Sequence, residues 1–260
     1  MDDGRSNPPI RLVGFDGDDT LWRSQDFFDA AQLEFEAILG AYVDLGDSRD
    51  HLYAVESRNL ALFGYGVKGM ALSMIEAAIE ITDARIAARD LQRIIGMGKE
   101  LLQHPVELLP GIRDAVARIA EDFEVVLITK GDLFHQEAKV RQSGLADLFP
   151  RIEIVSEKDV ATYARVLGEF ALVPAQFVMI GNSLRSDIAP VLQLGGWGVH
   201  MPYHTTWIHE ATSTLDAADA PRMCSVADAT GLPGAVHALA ARARQAPATD
   251  GAVRTAGSLG

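Results

Sequence analysis

The most informative stretch of the chain reads Phe15-Asp16-Gly17-Asp18-Asp19-Thr20-Leu21, and it follows the apolar run Ile10-Arg11-Leu12-Val13-Gly14. Two carboxylates, Asp16 and Asp18, therefore stand at the end of a predicted strand. In an open α/β sheet, ligands bind beyond the carboxyl ends of the strands. The pair indicates a functional site at this edge, although a turn that caps the next helix is an alternative interpretation of Asp18, Asp19 and Thr20.

Short β-rich segments recur along the chain with helical segments between them, which is the pattern of a parallel sheet. The middle three are almost continuously apolar, as expected for strands that helices cover on both faces. We therefore predict an α/β fold with a doubly wound, Rossmann-like parallel-sheet core. The predicted strands are residues 11–15, 124–129, 152–155, 177–180 and 198–201.

The interval between the first two strands, residues 22–103, is much longer than the single helix that a crossover needs. It contains three helical patterns, from Ser24 towards Leu39, from Ser48 towards Leu62, and from Asp83 to Ile95. We expect a Rossmann-like catalytic core of residues 1–22 and 104–245 and a smaller, all-helical cap of residues 23–103. The segment 246–260 has few large apolar residues and is predicted to be disordered.

The composition excludes some partners. The chain has 260 residues, 48% of them hydrophobic, and a formal net charge of −13. This charge disfavours a nucleic-acid or anionic membrane surface, since both require a basic face. The single cysteine, Cys224, suits a reducing compartment, and neither a signal peptide nor a membrane-spanning run is visible. We expect a cytoplasmic protein with no nucleic-acid or membrane partner.

Three later strand ends also carry polar groups. Ile128-Thr129-Lys130-Gly131 ends the second strand, Ser156-Glu157-Lys158 follows the third, and Gly181-Asn182-Ser183-Leu184-Arg185-Ser186-Asp187 follows the fourth. Because the carboxyl ends of parallel strands meet at one edge, all of these groups are expected to lie near Asp16 and Asp18.

Taken in order, the four motifs resemble those of the haloacid dehalogenase-like (HAD) superfamily. Those motifs are an Asp-x-Asp-x-Thr strand end, a Ser or Thr strand end, a Lys, and an acidic strand end. The resemblance covers roughly residues 10–207 and includes a helical cap inserted between the first and second motifs. It implies a hydrolase of the phosphatase branch that acts on a small phosphorylated metabolite.

By this resemblance Asp16 would be the nucleophile that forms an aspartyl-phosphate, and Asp18 would carry the proton in both half-reactions. Lys158 would be a fixed positive charge between the nucleophile and the phosphate. Thr129 and nearby backbone N–H groups would bind the phosphoryl oxygens. The implied phosphate-binding residues are Asp16, Gly17, Asp18, Asp19, Thr129, Lys130 and Lys158.

The resemblance also implies Mg²⁺, which would offset the repulsion between the carboxylates and a phosphate. Asp16 and the backbone carbonyl of Asp18 would bind it, with Asn182 or Asp187 as the ligand from the fourth strand end. The fourth motif is commonly Gly-Asp, whereas this chain has Gly181-Asn182. An amide oxygen binds Mg²⁺ without adding charge, so the sequence leaves the choice between Asn182 and Asp187 open.

Three alternatives to the phosphatase function remain. A haloacid dehalogenase shares the nucleophile but needs neither Mg²⁺ nor a second acid, so Asp18 favours the phosphatase. A phosphomutase shares the same acids and the same kind of cap. A non-catalytic phospho-ligand binding module gains nothing from two uncompensated carboxylates beside an anion. The sequence indicates neither the physiological substrate nor the oligomeric state.

Overall fold

The computed structural model describes residues 10–46, 48–205, 207, 210 and 217–245. Within these residues six parallel strands form one sheet in the order β3-β2-β1-β4-β5-β6. The strands are β1 (Leu12–Phe15), β2 (Glu124–Lys130), β3 (Arg151–Val155), β4 (Phe177–Gly181), β5 (Trp197–His200) and β6 (Met223–Ser225). The predicted doubly wound core is confirmed. Strand β6 was not predicted, because it is a three-residue edge strand without a buried apolar face.

Helices cover both faces of the sheet. The helices are α1 (Gln25–Leu39), α2 (Ser48–Phe63), α3 (Val67–Ile81), α4 (Ala88–Gln103), α5 (Ile112–Ala120), α6 (Leu133–Ser143), α7 (Val160–Glu169), α8 (Ala189–Leu194) and α9 (Leu232–Gln245). In β1, Val13 and Phe15 pack in the cluster that contains α5 and α9, whereas Leu12 packs with α7 and α8 on the other face. Successive strand side chains point to opposite faces, and both faces are buried here.

Helices α1–α4 lie between β1 and α5 in the chain and have a hydrophobic cluster of their own. The large buried side chains of this cluster include Phe35, Ile38, Leu39, Met74 and Ile94. The two connections to the sheet run side by side, because Trp22 forms an antiparallel bridge with Leu108. None of the helices in the described part of the chain is both long and apolar enough to cross a membrane.

Both predicted boundaries of α4 are wrong in a physically informative way. Asp83 and Ala84 have positive φ angles of 51° and 57°, so the predicted helix start is a turn, and α4 begins at Ala88. The predicted end at Ile95 is too early, because α4 continues to Gln103 and includes Gly98, where a Cβ would stand 3.1 Å from Cβ of Ala71 on α3. The glycine permits the two helices to approach closely. The predicted disordered segment 246–260 lies outside the described residues.

Ser24 precedes α1, as predicted, but its side chain makes no capping hydrogen bond. The carboxylate of Asp19 takes this role and accepts hydrogen bonds from the backbone N–H groups of Ser24, at 2.8 Å, and Gln25, at 3.0 Å. Asp19 reaches them from a left-handed backbone conformation with φ of 60°. The capping interpretation of the first acidic run is therefore correct for Asp19.

Candidate active site

The carboxyl ends of β1, β2 and β4 face helices α1–α3 across a cavity of about 820 Å³. Side chains from all four sequence motifs line this cavity, together with apolar and aromatic groups from the helices. Asp16, Thr129, Lys158 and Asp187 are among the lining residues. The structure thus brings the predicted strand-end residues together, as the parallel topology requires.

A buried ion cluster occupies the floor of the cavity. The ammonium group of Lys158 contacts Oδ1 of Asp16 and lies 2.7 Å from Oδ1 of Asp187. All three side chains are buried. Gly181 makes room for the cluster, since a Cβ there would stand 2.2 Å from Oδ2 of Asp187.

One lysine faces two carboxylates in this cluster. Burial, with the charge of Asp187 second, raises the pKa of Asp16 to about 7 despite the contact with Lys158. Burial also raises the pKa of Asp187. For Lys158, burial alone would lower the pKa, but the charges of Asp16 and Asp187 outweigh it and the pKa is raised. With all three groups ionised, the cluster keeps one net negative charge before any phosphate enters.

The oxygen groups of the cluster fit Mg²⁺. Thr20 Oγ1 lies 3.0 Å from Oδ2 of Asp16 and 3.3 Å from Oδ1 of Asn182, so the same hydroxyl contacts both oxygens. Carboxylate, amide and carbonyl oxygens are the ligands that Mg²⁺ prefers. Among the described residues, however, no group of three or more His, Cys, Asp and Glu side chains forms a metal site. The fit therefore depends on neutral oxygens, namely the Asn182 amide and the backbone carbonyl of Asp18.

Asp18 is held by three side chains. Trp22 Nε1 and Lys139 Nζ donate hydrogen bonds to its Oδ1 at 2.6 and 2.7 Å, and Gln136 Nε2 donates to its Oδ2 at 2.9 Å. Burial acts to raise the pKa of Asp18, but the charge of Lys139 and the three hydrogen bonds outweigh it, so the pKa is lowered. In this arrangement Asp18 is an ionised carboxylate.

Thr129 is the next-to-last residue of β2 and lies beside the first motif. Its side chain is 1% exposed, and its hydroxyl has no hydrogen-bond partner in the described part of the chain. A Cβ at Gly17 would lie 3.0 Å from this hydroxyl, so the loop after β1 packs closely against it. Buried hydroxyls are normally paired. The unpaired one here lines the cavity next to Asp16.

Several polar groups of Asp19 and Lys130, two residues predicted to bind phosphate, form hydrogen bonds within the protein. The backbone N–H of Asp19 donates to the carbonyl of Trp22 at 2.7 Å, and its carboxylate caps α1. The ammonium group of Lys130 lies 2.5 Å from Glu210 and 3.0 Å from Ser186 Oγ. Both residues line the cavity, but their polar groups already have partners.

The sequence interpretation did not identify Gln136 and Lys139, which bind the two oxygens of Asp18 from α6. Their spacing of three places them on one face of this helix, which directly follows the second motif. This polar pair was the sequence signal that could have indicated a contact with the site. It was weak, because the same spacing is common on solvated helix faces.

Residues of the α2–α3 region reach the strand ends. Tyr65 donates to Oε2 of Glu157 at 2.5 Å, and Lys68 lies 2.9 Å from Asp132. Met70 and Met74 line the cavity, whereas Arg58 pairs with Glu76 and Glu80. Arg58 thus has both of its ion-pair partners within the helical region itself.

Comparisons with known proteins identify the family of the chain. A family model described as haloacid dehalogenase-like hydrolase matches residues 10–195. A haloacid dehalogenase-like family hydrolase from Xanthomonas campestris is 58% identical, with a TM-score of 0.82, over 92% of this chain and 99% of that chain. A comparison with curated proteins gives no match.

Two more distant structures share the fold. The 2-haloacid dehalogenase from Pseudomonas syringae pv. Tomato DC3000 is 22% identical, with a TM-score of 0.56, over 88% of this chain and 98% of that chain. The candidate HAD-hydrolase YfnB from Bacillus subtilis, in a magnesium-bound form, is 16% identical, with a TM-score of 0.59, over 89% of this chain and 99% of that chain. At these identities the similarity concerns the fold alone.

Proposed function

This chain belongs to the haloacid dehalogenase-like hydrolases, and from that premise we propose that it is a Mg²⁺-dependent phosphatase of a small phosphorylated metabolite. The observation that carries the proposal is the buried, unpaired hydroxyl of Thr129 beside the first motif. An acceptor oxygen of a bound ligand would satisfy this buried donor. A phosphoryl group held next to Asp16 supplies that oxygen.

In the first half-reaction a carboxylate oxygen of Asp16 attacks phosphorus, and the bond from phosphorus to the leaving alcohol breaks. Lys158 contacts the same carboxylate and supplies a fixed positive charge while negative charge moves to the phosphoryl oxygens. Thr129 and the N–H groups of the loop after β1 hold those oxygens. Asp16 must be ionised to attack, and a cation in the site restores its ionisation by lowering its pKa.

Asp18 transfers protons in both half-reactions. It is a carboxylate in the free protein because Lys139 and two neutral donors hold it. A phosphate dianion bound beside it would raise its pKa through charge repulsion, which prepares Asp18 to protonate the leaving alcohol. After the alcohol leaves, the same carboxylate removes a proton from the attacking water. A dehalogenase has no use for this second acid.

The charge balance supports the need for a divalent cation. With all three groups ionised, the cluster of Asp16, Asp187 and Lys158 has one net negative charge, and a phosphate dianion adds to it. Asp16, the backbone carbonyl of Asp18, and Asn182 or Asp187 would hold Mg²⁺. When bound, the ion neutralises the phosphoryl oxygens and the carboxylates during transfer. YfnB, which shares the fold, is described in a magnesium-bound form.

The test is a panel of phosphorylated metabolites and one aryl phosphate, assayed for phosphate release with Mg²⁺ and with EDTA. A 2-chlorinated short carboxylic acid, assayed for halide release, tests the dehalogenase alternative. We expect phosphate release that EDTA abolishes. Halide release without phosphate release would instead establish a dehalogenase, and transfer of the phosphate back to the substrate would establish a mutase.

Asp16→Asn should abolish phosphate release without a loss of thermal stability. The matched control is Asp114→Asn, an identical chemical change at an exposed position on α5, which should leave the rate unchanged. Peptide mass spectrometry after acid quenching should find the phosphoryl group on Asp16 in the wild-type protein. Undiminished Mg²⁺-dependent activity of Asp16→Asn would refute the mechanism.

A further inference from the structure

Gln136 on α6 has a buried side chain with one paired and one unpaired end. It is 3% exposed, and its Nε2 donates to Oδ2 of Asp18 and to the backbone carbonyl of Lys130, both at 2.9 Å. A carbonyl oxygen can only accept a hydrogen bond, so the NH₂ end of the amide must face these two partners. The carbonyl oxygen Oε1 then points away from Lys130 and has no donor in the described part of the chain.

An unpaired buried amide oxygen costs about 1–3 kcal/mol. Such a group needs a reason, and Gln136 lines the cavity beside Asp16 and Asp18. A molecule in the cavity that reaches Oε1 would supply the missing donor. Because Gln136 also binds Asp18, that donor lies next to the group that transfers protons.

The two half-reactions differ in whether they supply such a donor. The ester oxygen of the leaving group has no hydrogen and receives a proton from Asp18. The attacking water has two hydrogens, of which Asp18 removes only one. An acceptor beside Asp18 could therefore accept a hydrogen bond from the second hydrogen of that water.

We propose that Gln136 orients the water that hydrolyses the aspartyl-phosphate, with Oε1 accepting one hydrogen while Asp18 takes the other as a proton. This inference rests on the proposed phosphatase function. The bond from the water oxygen to phosphorus forms as the bond from phosphorus to Asp16 breaks, and the electron pair returns to the Asp16 carboxylate. The hydrogen held by Gln136 stays on the released phosphate. Gln136 is a positioning residue for the nucleophile, and Lys139 steadies the other oxygen of Asp18.

The first experiment measures Gln136→Met, which keeps the length of the side chain and removes both polar ends. With an aryl phosphate we expect kcat to fall about 10²-fold, as for a misplaced reactant. The leaving group of an aryl phosphate is a phenolate that needs little protonation, so the lost contact between Gln136 and Asp18 should leave the first half-reaction unchanged. We therefore expect kcat/KM, which reports that half-reaction, to stay unchanged and KM to fall by the same factor as kcat. Acid-quenched enzyme should accumulate phosphorylated Asp16. The matched control is Gln142→Met, an exposed position on the same helix, which should behave as wild type.

The second experiment compares two acceptors within one protein, so it does not depend on how much of the variant is folded. An added small alcohol can replace water, but it has one hydrogen, which Asp18 removes. The ratio of alkyl phosphate to inorganic phosphate should therefore rise about 10²-fold in Gln136→Met, because only the attack by water loses its positioning.

The possible failures can be told apart. Equal losses in kcat and kcat/KM with an unchanged product ratio would overturn the role of Gln136 and leave the phosphatase in place. Restoration of the rate only with substrates that have a hydroxyl near the phosphate would assign Oε1 to the leaving group instead, which also overturns the proposal. A wild-type protein that forms no aspartyl-phosphate would overturn the proposed function itself.

Discussion

Gly181 allows the sharpest test of the site geometry, because alanine would place a methyl group where the Asp187 carboxylate lies. The added Cβ would stand 2.2 Å from Oδ2 and 2.5 Å from Cβ of Asp187. Ordinary van der Waals contact begins near 3.4 Å, so Asp187 must retreat by about 1 Å. Neither β4 nor the sheet neighbours β1 and β5 offer an easy way to relieve the clash, because the whole strand is buried.

The retreat would break two charge-assisted hydrogen bonds. Lys158 donates to Oδ1 of Asp187 at 2.7 Å, and the backbone N–H of Ser183 donates to Oδ2 at 3.0 Å. Overpacking of this kind lowers the free energy of unfolding by about 1–3 kcal/mol. For a protein of this size that corresponds to a Tm lower by about 2–10 °C. A displacement of about 1 Å in the charge cluster should also slow turnover about 10²-fold.

The measurements are a thermal melt and Mg²⁺-dependent phosphate release for Gly181→Ala. The matched control is Gly168→Ala, because no atom lies within 4 Å of a Cβ at this exposed position in α7. That control should keep full activity and gain about 0.5–1 kcal/mol, since glycine is unfavourable inside a helix. If Gly181→Ala has the Tm and rate of Gly168→Ala, the placement of Asp187 against β4 is wrong.

Three further predictions concern single residues. Burial, with the charge of Lys139 second, lowers the pKa of His135 from 6.5 to about 4. The unfolded chain therefore binds the proton first, so stability is lost as the pH falls from about 6.5 to about 4. His135→Gln should remove about 1–2 kcal/mol of that loss in melts across this range, once solvent screening is allowed for. Asp19→Ala should lower the free energy of unfolding by about 1–3 kcal/mol in denaturant titrations, because it removes the cap of α1 and leaves alanine at a φ of 60°. Asp19→Asn should lose less, since asparagine tolerates this conformation, and equal losses would contradict the capping role. Asn182→Asp should destabilise the metal-free protein and tighten Mg²⁺ about 10-fold by calorimetry, because it adds a ligand charge; an unchanged affinity would exclude position 182 as a ligand.

The fold could be predicted because its determinants are local. Each core strand is an apolar run with polar residues at its carboxyl end, and the right-handed parallel topology then places those ends at one edge. This rule alone was enough to predict that four site residues lie close together, namely Asp16, Thr129, Lys158 and Asp187. Errors arose where local signals conflict with packing, as at Gly98, whose missing side chain serves the contact between α3 and α4.

The missed part of the site depends on tertiary orientation. Gln136 and Lys139 reach Asp18 because α6 starts directly after β2 and directs one face towards β1. No sequence period distinguishes that face from a solvated one, since both consist of polar residues three apart. The same limit applies to Asp19. Its neighbours Asp16 and Asp18 suggested that it binds phosphate, whereas its positive φ directs the side chain to the start of α1.

Asp16 and Asp18, the two acids of the first motif, therefore lie in environments that shift their pKa values in opposite directions. Asp16 shares Lys158 with Asp187 and its pKa is raised to about 7, so under the proposed function a bound cation would favour the ionised form that attacks. Asp18 is surrounded by donors and stays ionised until an anion binds beside it. Under the proposed function, binding of a metal and a phosphate would shift both pKa values in the directions that catalysis needs, down for Asp16 as the nucleophile and up for Asp18 as the proton donor. Occupancy of the site would then prepare each acid for the role proposed for it.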